Sequence, residues 1–307
     1  MNIKIIPFFL CLLFLFACGG SATDETEEAE AVKPKSTFEL MQQAGYTIQE
    51  SWEFDYLYGM PDTTRSGFLS YSKEYDKSGN LMLEKQFYKE DYLQDIAYVR
   101  RYEYDAQGNN TRRVEYAHSG EKKSEMVAKY QDTLMLEQKV MSDKNGSYIT
   151  TYEYDVKGLL QASQQTSLDL DFRRDFTYQY DEEDRFTEST ELNEEGQVVG
   201  YVAQTYNDLG RASLSSFDAD RKLIWTSVVK KPNDSTVVEM SNLAGETPDI
   251  KYSYYNKLGM LKEFIDSTSY GVRSHYTRHF TPDYLPHHEI EYDEKGEPLK
   301  FILYRYR

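Results

Sequence analysis

The chain reads as an all-β protein, a repetitive antiparallel β-meander of hairpins forming an extended, twisted or curled sheet, with at most one short N-terminal helix. Three observations predict this. A short phrase, aromatic–Asp/Asn–x–x–Gly, returns at a near-constant step of about 26 residues. Strand-forming aromatics are abundant, with 28 Tyr and 15 Phe against 8 Pro. Tyr also dominates the apolar composition, and its hydroxyl prefers water or a partner. A sheet with one aromatic-lined face and one polar face suits such residues better than a thick two-layer core.

At the N-terminus, Lys4 precedes an apolar run from Ile5 to Ala17 that only Pro7 interrupts. The run is too short to span a bilayer comfortably and has signal-peptide form. It ends Leu15-Phe16-Ala17-Cys18-Gly19, which resembles a bacterial lipobox. That resemblance implies cleavage before Cys18, acylation of its sulfur (palmitate among the chains) and a membrane anchor. Gly19, where an Asp would imply inner-membrane retention, implies the outer membrane. The acidic stretch Asp24 to Glu30 resembles the export tract of Bacteroidetes surface lipoproteins. The cell surface is therefore favoured over the periplasmic face. The expected organisation is a signal peptide over 1–17, an acidic disordered tether over 18–35 and a hairpin repeat domain over 36–307.

On that resemblance Cys11 leaves with the signal and Cys18 carries lipid, which implies that no thiol remains for catalysis, metal or disulfide chemistry. The net charge of −17 argues against nucleic acid and anionic membrane surfaces as partners. Ser36-Thr37-Phe38-Glu39 has the form of a capping box opening a short helix, with Gly45 as its stop.

The repeat phrase then begins. It pairs Asp76 with Gly79, Asp105 with Gly108, Asp155 with Gly158, Asn207 with Gly210, Asn256 with Gly259 and Asp293 with Gly296. A copy without Gly stands at Tyr180-Asp181, and degenerate copies at Tyr130-Gln131-Asp132 and Pro232-Asn233-Asp234 fill the two doubled gaps. The step from Asn256 to Asp293 is about one and a half periods, as expected of a unit made of two similar halves. In each phrase, an Asp or Asn can bond forward to backbone N–H groups while a Gly takes the left-handed conformation of a type I turn with a bulge. Tyrosines two apart, as at Tyr102/Tyr104, Tyr152/Tyr154 and Tyr178/Tyr180, share one strand face. Leu299 to Tyr306 alternates as a last strand. Its basic residues Lys300, Arg305 and Arg307 are expected to protect an open sheet edge.

Tyr206-Asn207-Asp208-Leu209-Gly210-Arg211 and Tyr75-Asp76-Lys77-Ser78-Gly79-Asn80-Leu81 resemble the YD repeats of RHS-type and teneurin-like proteins, over about residues 70–300. The resemblance implies a spiralling β-sheet that encapsulates or displays a partner. It also matches small repeat lipoproteins of Bacteroidetes.

Chemical motifs are sparse. His275 and His279 share a strand face but stand too far apart to chelate one ion, and His287 and His288 would face opposite ways. No G-G-x-G-x-D calcium repeat, G-x-S-x-G, H-E-x-x-H or phosphate loop is present. Trp52 and Trp225 suit either packing or sugar stacking. Asp62-Thr63-Thr64, Asp132-Thr133-Leu134, Asp234-Ser235-Thr236 and Asp266-Ser267-Thr268 resemble a Bacteroidetes O-glycosylation acceptor.

The expected function is therefore a non-enzymatic, lipid-anchored outer-membrane protein presenting its sheet to a protein or glycan partner, with no cofactor and no metal. Two alternatives stay open. One is an extracytoplasmic glycan-active enzyme, for which clustered carboxylates in a pocket would speak. The other is a periplasmic subunit binding envelope protein by strand addition.

Overall fold

The computed structural model describes residues 36–57, 59–62, 67–90, 93–142, 146–207 and 210–307. The expected signal peptide and tether, Cys18 among them, lie outside the described residues.

The first element is α1 (Thr37–Gln43). The Ser36 hydroxyl accepts from the Glu39 N–H at 3.2 Å, and the Ser36 N–H donates to Glu39 Oε2 at 2.6 Å. This reciprocal cap satisfies two of the helix's unpaired donors. Gly45, at φ +78°, turns the chain out of the helix.

Among the described residues, strands follow without further helix. They are β1 (Ile48–Leu57), β2 (Met60–Pro61), β3 (Phe68–Tyr75), β4 (Leu81–Glu90), β5 (Leu93–Tyr104), β6 (Asn110–Ala117) and β7 (Lys122–Gln131). Next come β8 (Leu134–Ser142), β9 (Tyr148–Tyr154), β10 (Leu160–Ser167), β11 (Arg173–Tyr180), β12 (Phe186–Leu192), β13 (Val198–Asn207) and β14 (Gly210–Asp218). The last are β15 (Leu223–Asn233), β16 (Thr236–Leu243), β17 (Asp249–Tyr255), β18 (Leu261–Thr268), β19 (Gly271–Phe280), β20 (Pro286–Tyr292) and β21 (Pro298–Tyr306).

From β3 onward each strand pairs antiparallel with the next, as a meander requires. The open sheet expected from the repeat is overturned at its ends. β1 pairs with β3 on one side and with β21 on the other, so Ser51 stands opposite both Tyr71 and Tyr304. β2 adds a two-rung flap to the end of β1, which leaves a closed antiparallel barrel of 20 strands. β21 is thus the closing strand and no edge. Lys300 bridges Glu53 and Glu291 at 3.2 and 3.5 Å, Arg305 lies over the Trp52 ring at 4.8 Å, and Arg307 pairs with Glu50. The basic side chains read as edge protection instead bind the seam together.

Rows of paired residues climb along the wall. The row through Ser51 runs to Tyr71, Gln86, Tyr98 and Ala117, reaching the end of β6 after four steps. A climb of about one residue per strand is the stagger that a closed, tilted barrel needs.

The two ends of the barrel differ. The first carries the start of β1, the finish of β21 and the turns after β3, β5, β9, β11 and β17. The second carries the alternate turns, including those after β10, β12, β14, β18 and β20.

Deleting residues 299–307 removes the rungs from Gln49↔Tyr306 to Asp55↔Lys300 and bares both β1 and β20. The truncated chain is expected to lose its cooperative thermal transition and to form concentration-dependent oligomers. Melting followed by circular dichroism, with size exclusion, checks this; a monomer melting at the wild-type temperature would contradict closure.

Candidate functional site

Register carries one face of the wall around the whole barrel, and burial shows that it points inward. Along β9, Thr150, Tyr152 and Tyr154 are buried or half-buried while Thr151 and Glu153 are exposed. Along β11 the same contrast separates Tyr178 and Tyr180 from Thr177 and Gln179. The inner wall is therefore lined with tyrosine. At this strand number side chains do not fill the interior. The buried apolar side chains among the described residues are few, as expected of a hollow barrel: Met41, Phe54, Val114, Met126, Ala128, Leu160 and Leu285.

The tyrosine of the repeat phrase has a specific task. In the β10–β11 pair the ladder stops at Ala162↔Thr177, and the hydroxyl of Tyr180 donates to the Leu160 carbonyl beyond it at 2.9 Å. The same bond joins Tyr104 to Leu81, Tyr130 to Asn110, Tyr154 to Met135, Tyr206 to Phe186 and Tyr306 to Pro286, at 2.7–3.2 Å. Each accepting carbonyl lies two residues before the last rung. A bulge interrupts the pairing on the turn side, as between Gln179 and Tyr180, and the phenol satisfies a carbonyl the ladder no longer reaches.

The turn residues sit where their chemistry is used. Oδ1 of Asp76, Asp105, Asp155, Asn256 and Asp293 each accepts from the backbone N–H groups two and four residues ahead. The Asn109 side chain, donating to Asp105, holds that carboxyl below its ordinary range. Gly79, Gly108, Gly158, Gly210, Gly259 and Gly296 have φ between +73° and +101°. At Gly158, for example, a side chain would be strained whatever the space around it. Asn207 and Gly210 face each other as the ends of a hairpin. Asp293 and Gly296 belong to the second end of the barrel, half a unit out of phase with the others.

The true copy at the first end is Phe280-Thr281 to Tyr284. There the Thr281 hydroxyl takes the Asp role toward Leu285 N–H at 3.1 Å, and Tyr284 occupies the glycine position at φ +65°. Thr281 lies one ordinary period after Asn256. Sequence reading missed it because Thr, Tyr and Phe replace all three signal residues, although the period itself pointed to the site.

The inner wall also carries polar clusters that the sequence did not single out. Glu84 accepts from Tyr71 OH at 2.5 Å, Tyr102 OH at 2.8 Å and Arg100 Nη1 at 3.3 Å. Arg100 also binds Glu115 at 2.7 Å and lies 4.3 Å over the Tyr98 ring. Burial alone would raise the Glu84 pKa, but these donors outweigh it and hold the carboxyl below its ordinary value. Burial and the neighbouring Glu84 push the Tyr71 and Tyr102 phenols well up. A second cluster repeats the pattern, with Arg278 on Glu289 at 2.8 and 3.0 Å and the Tyr304 hydroxyl on the same oxygen. Ser227, almost wholly buried, donates to Glu239 at 2.5 Å. In these clusters each carboxylate already accepts hydrogen bonds from the wall. That arrangement orders the wall; it does not leave Glu84 a proton to give as a general acid.

Outside the barrel, His275 pairs with Glu263 at 3.0 Å, and the His279 and His288 rings stack at 4.3 Å. His287 and His288 do not part to opposite faces as expected. His287 is the extra residue of the bulge at His279/Phe280, so its Nδ1 comes within 2.7 Å of His288 Nδ1. No cluster with metal-ligand geometry occurs among the described residues. The Trp52 indole donates to Glu50 at 3.1 Å, and Trp225 falls on the inward register. Thr133 and Ser235 are exposed in hairpin turns, Ser267 donates to the Ile250 carbonyl, and residues 63–64 lie outside the described residues.

No protein-family profile and no curated protein matches the sequence. Among solved structures, a porin-like protein from Bacteroides uniformis is similar at 10% identity, covering 85% of this chain and 96% of that one, with a TM-score of 0.37. The TcdB2-TccC3-Cdc42 complex is similar at 9% identity and a TM-score of 0.31, over 81% of this chain but 18% of that one. The Photorhabdus luminescens Tc holotoxin pore follows at 9% identity and a TM-score of 0.28, with the same coverage.

Two outcomes are expected from this geometry. Tyr180→Phe removes the bond to Leu160 and should lower stability by about 0.5–1.5 kcal/mol in denaturant unfolding, with the barrel intact, since Phe280 is tolerated at the equivalent place. Burial, then the nearby His279 and His287, lower the His288 pKa from 6.5 to about 4. The unfolded chain therefore takes up this proton first, and stability is lost as pH falls from about 6.5 toward 4. His288→Phe should flatten that part of the pH profile of thermal melting, leaving the carboxylate-dependent loss at lower pH.

Proposed function

We propose that this protein is a lipid-anchored outer-membrane protein whose barrel stands in water and presents its rim and walls to a protein or glycan partner. The observation that carries the reading is the polar outward face. Arg101, Arg112, Lys139, Glu153 and Glu188 stand on it within the strands. A Lys or Arg facing lipid near the bilayer midplane costs about 2–4 kcal/mol. A wall carrying several supports attachment to a membrane over insertion into it. Attachment then falls to the lipobox and its Cys18. The closed ring of aromatic–Asp hairpins further supports kinship with YD-type repeats. No described helix is long and apolar enough to cross a membrane.

Strand addition at a sheet edge loses its footing, because closure removes the main edges. Display of loops and rims remains.

Cys18→Ala is expected to move the protein from the membrane fraction to the soluble fraction, since the acylated sulfur is its only attachment in this reading. Retention of that variant in membranes after alkaline washing would instead mean that the barrel itself is embedded. Protease shaving of intact cells separates surface from periplasmic display.

A further inference from the structure

Exposed apolar side chains are not scattered evenly over the barrel. At its second end, one stands at or beside every connection from β10–β11 round to the β1 flap. Leu170 is 69% exposed, Ile224 42%, Leu243 50%, Tyr270 99%, Leu299 59% and Met60 68%. Val199 stands beside the remaining connection, β12–β13, and Leu168 adds a second residue to β10–β11. At the first end, among the described residues, they reach only some connections, with Met82 after β3, Leu136 and Val156 after β7 and β9, and Leu258 and Tyr284 after β17 and β19, so no run there extends past two neighbouring turns. An unbroken apolar arc on an otherwise polar protein marks an interaction surface.

Several of these positions arise from the fold itself. Val199, Ile224 and Leu299 are the extra residues of bulges at Glu191/Leu192, Ser216/Phe217 and Glu291/Tyr292. A bulge re-aims its extra side chain out of the alternation. Val199, Ile224 and Leu299 there remain 46%, 42% and 59% exposed, so much of their apolar surface is left for something else to cover.

The arc is also cleft and charged. Leu170, Phe172, Arg173 and Glu194 line a hollow of about 320 Å³, and Tyr270, Val272, Arg273 and Glu294 line one of about 340 Å³. Each lining is mixed, with two apolar side chains beside an arginine, the carboxylate of Asp171 or Asp249 and a glutamate from the next turn. The arginines of the arc are already engaged, Arg173 with Asp175, Arg221 with Glu188 and Arg273 with Asp249. Acidic residues outnumber basic ones in its turns, with Asp169, Asp171, Glu194, Glu195, Asp220 and Glu246 prominent.

We propose that this rim is a docking surface for a protein segment that is both basic and apolar. Charge complementarity selects that occupant. A second copy would set acidic rim against acidic rim, and an anionic membrane surface would be repelled likewise. The surface is testable without the anchoring proposal.

The test uses the full chain in a mild non-ionic detergent and fluorescence anisotropy with three labelled peptides: alternating Lys-Leu, alternating Glu-Leu, and Lys alone. The Lys-Leu peptide is expected to bind more tightly than either of the others. The combined variant Leu170→Ser, Ile224→Ser, Leu243→Ser, Tyr270→Ser should weaken that binding at least tenfold. Val156→Ser with Leu258→Ser, at the first end, should leave it unchanged. All six positions are exposed, so folding, checked by circular dichroism, should not change. Equal binding by the rim variant, or equal binding of the Glu-Leu peptide, would overturn the proposal. So would a wild-type dimer in sedimentation that the rim variant abolishes, which would make the occupant a second copy. Fractionation of Cys18→Ala reads the anchor separately from all of these.

Discussion

The pairing of β1 with β21 is the constraint on which the rest of the structure depends. This barrel has little core to fall back on. Its interior is too wide to fill, so each strand is held by its two neighbours and by the side chains along the seams. A missing neighbour would leave a row of unpaired N–H and C=O groups, and in an open meander that would happen twice. Closure removes both rows at once. The side chains at the seam fit this role. Lys300 sits between carboxylates from both neighbouring strands, and Arg307 reaches Glu50 across the junction. Outside the barrel, Phe54 is buried beside Gly67, where a Cβ would come within 2.4 Å of its ring, so the returning chain packs down on β1.

The repeat phrase and the closure meet in one residue, the tyrosine before the turn. Turn geometry at that end requires a bulge, and a bulge breaks the ladder one pair early. The Asp and Gly solve the turn itself. The tyrosine deals with the carbonyl left behind, reaching it from inside the barrel. This explains why the phrase needs an aromatic residue with a hydroxyl and why successive tyrosines share one face. It also shows where the device is dispensable. Phe280 and Pro232 stand at the equivalent place without a phenol, and the hairpins after them still form. One lost bond of this kind is small against the many rungs on either side.

Hairpins, turns and the short helix were legible in the sequence because their determinants are local. Ser36 and Glu39 are three apart, and Asp105 bonds to residues two and four ahead. Closure was not legible. β1 precedes the first phrase and carries none of its signals, and its partner lies some 250 residues away. Glu84 and Arg100 look like any other charges on alternating strands. Only the closed register puts them on the inner wall beside Tyr71 and Tyr102. The His287–His288 contact was misjudged for a smaller reason: alternation fails at a bulge, and His287 is the bulged residue.

Both faces of this wall keep charged residues, and both are tied internally. On the inside, carboxylates meet phenols and guanidinium groups. On the outside, Glu125 meets Arg112 and Lys122, and Glu188 meets Arg221. Groups bound in this way have little left to offer a ligand without breaking an existing bond. The rims are different, because their turns satisfy their own backbone and leave side chains pointing away. Val156 and Tyr270 are nearly as exposed as a residue can be. In a barrel whose walls are largely tied to themselves, recognition falls to what the turns carry. The continuous apolar and acidic arc at the second end is the part of the surface that the barrel does not need for itself.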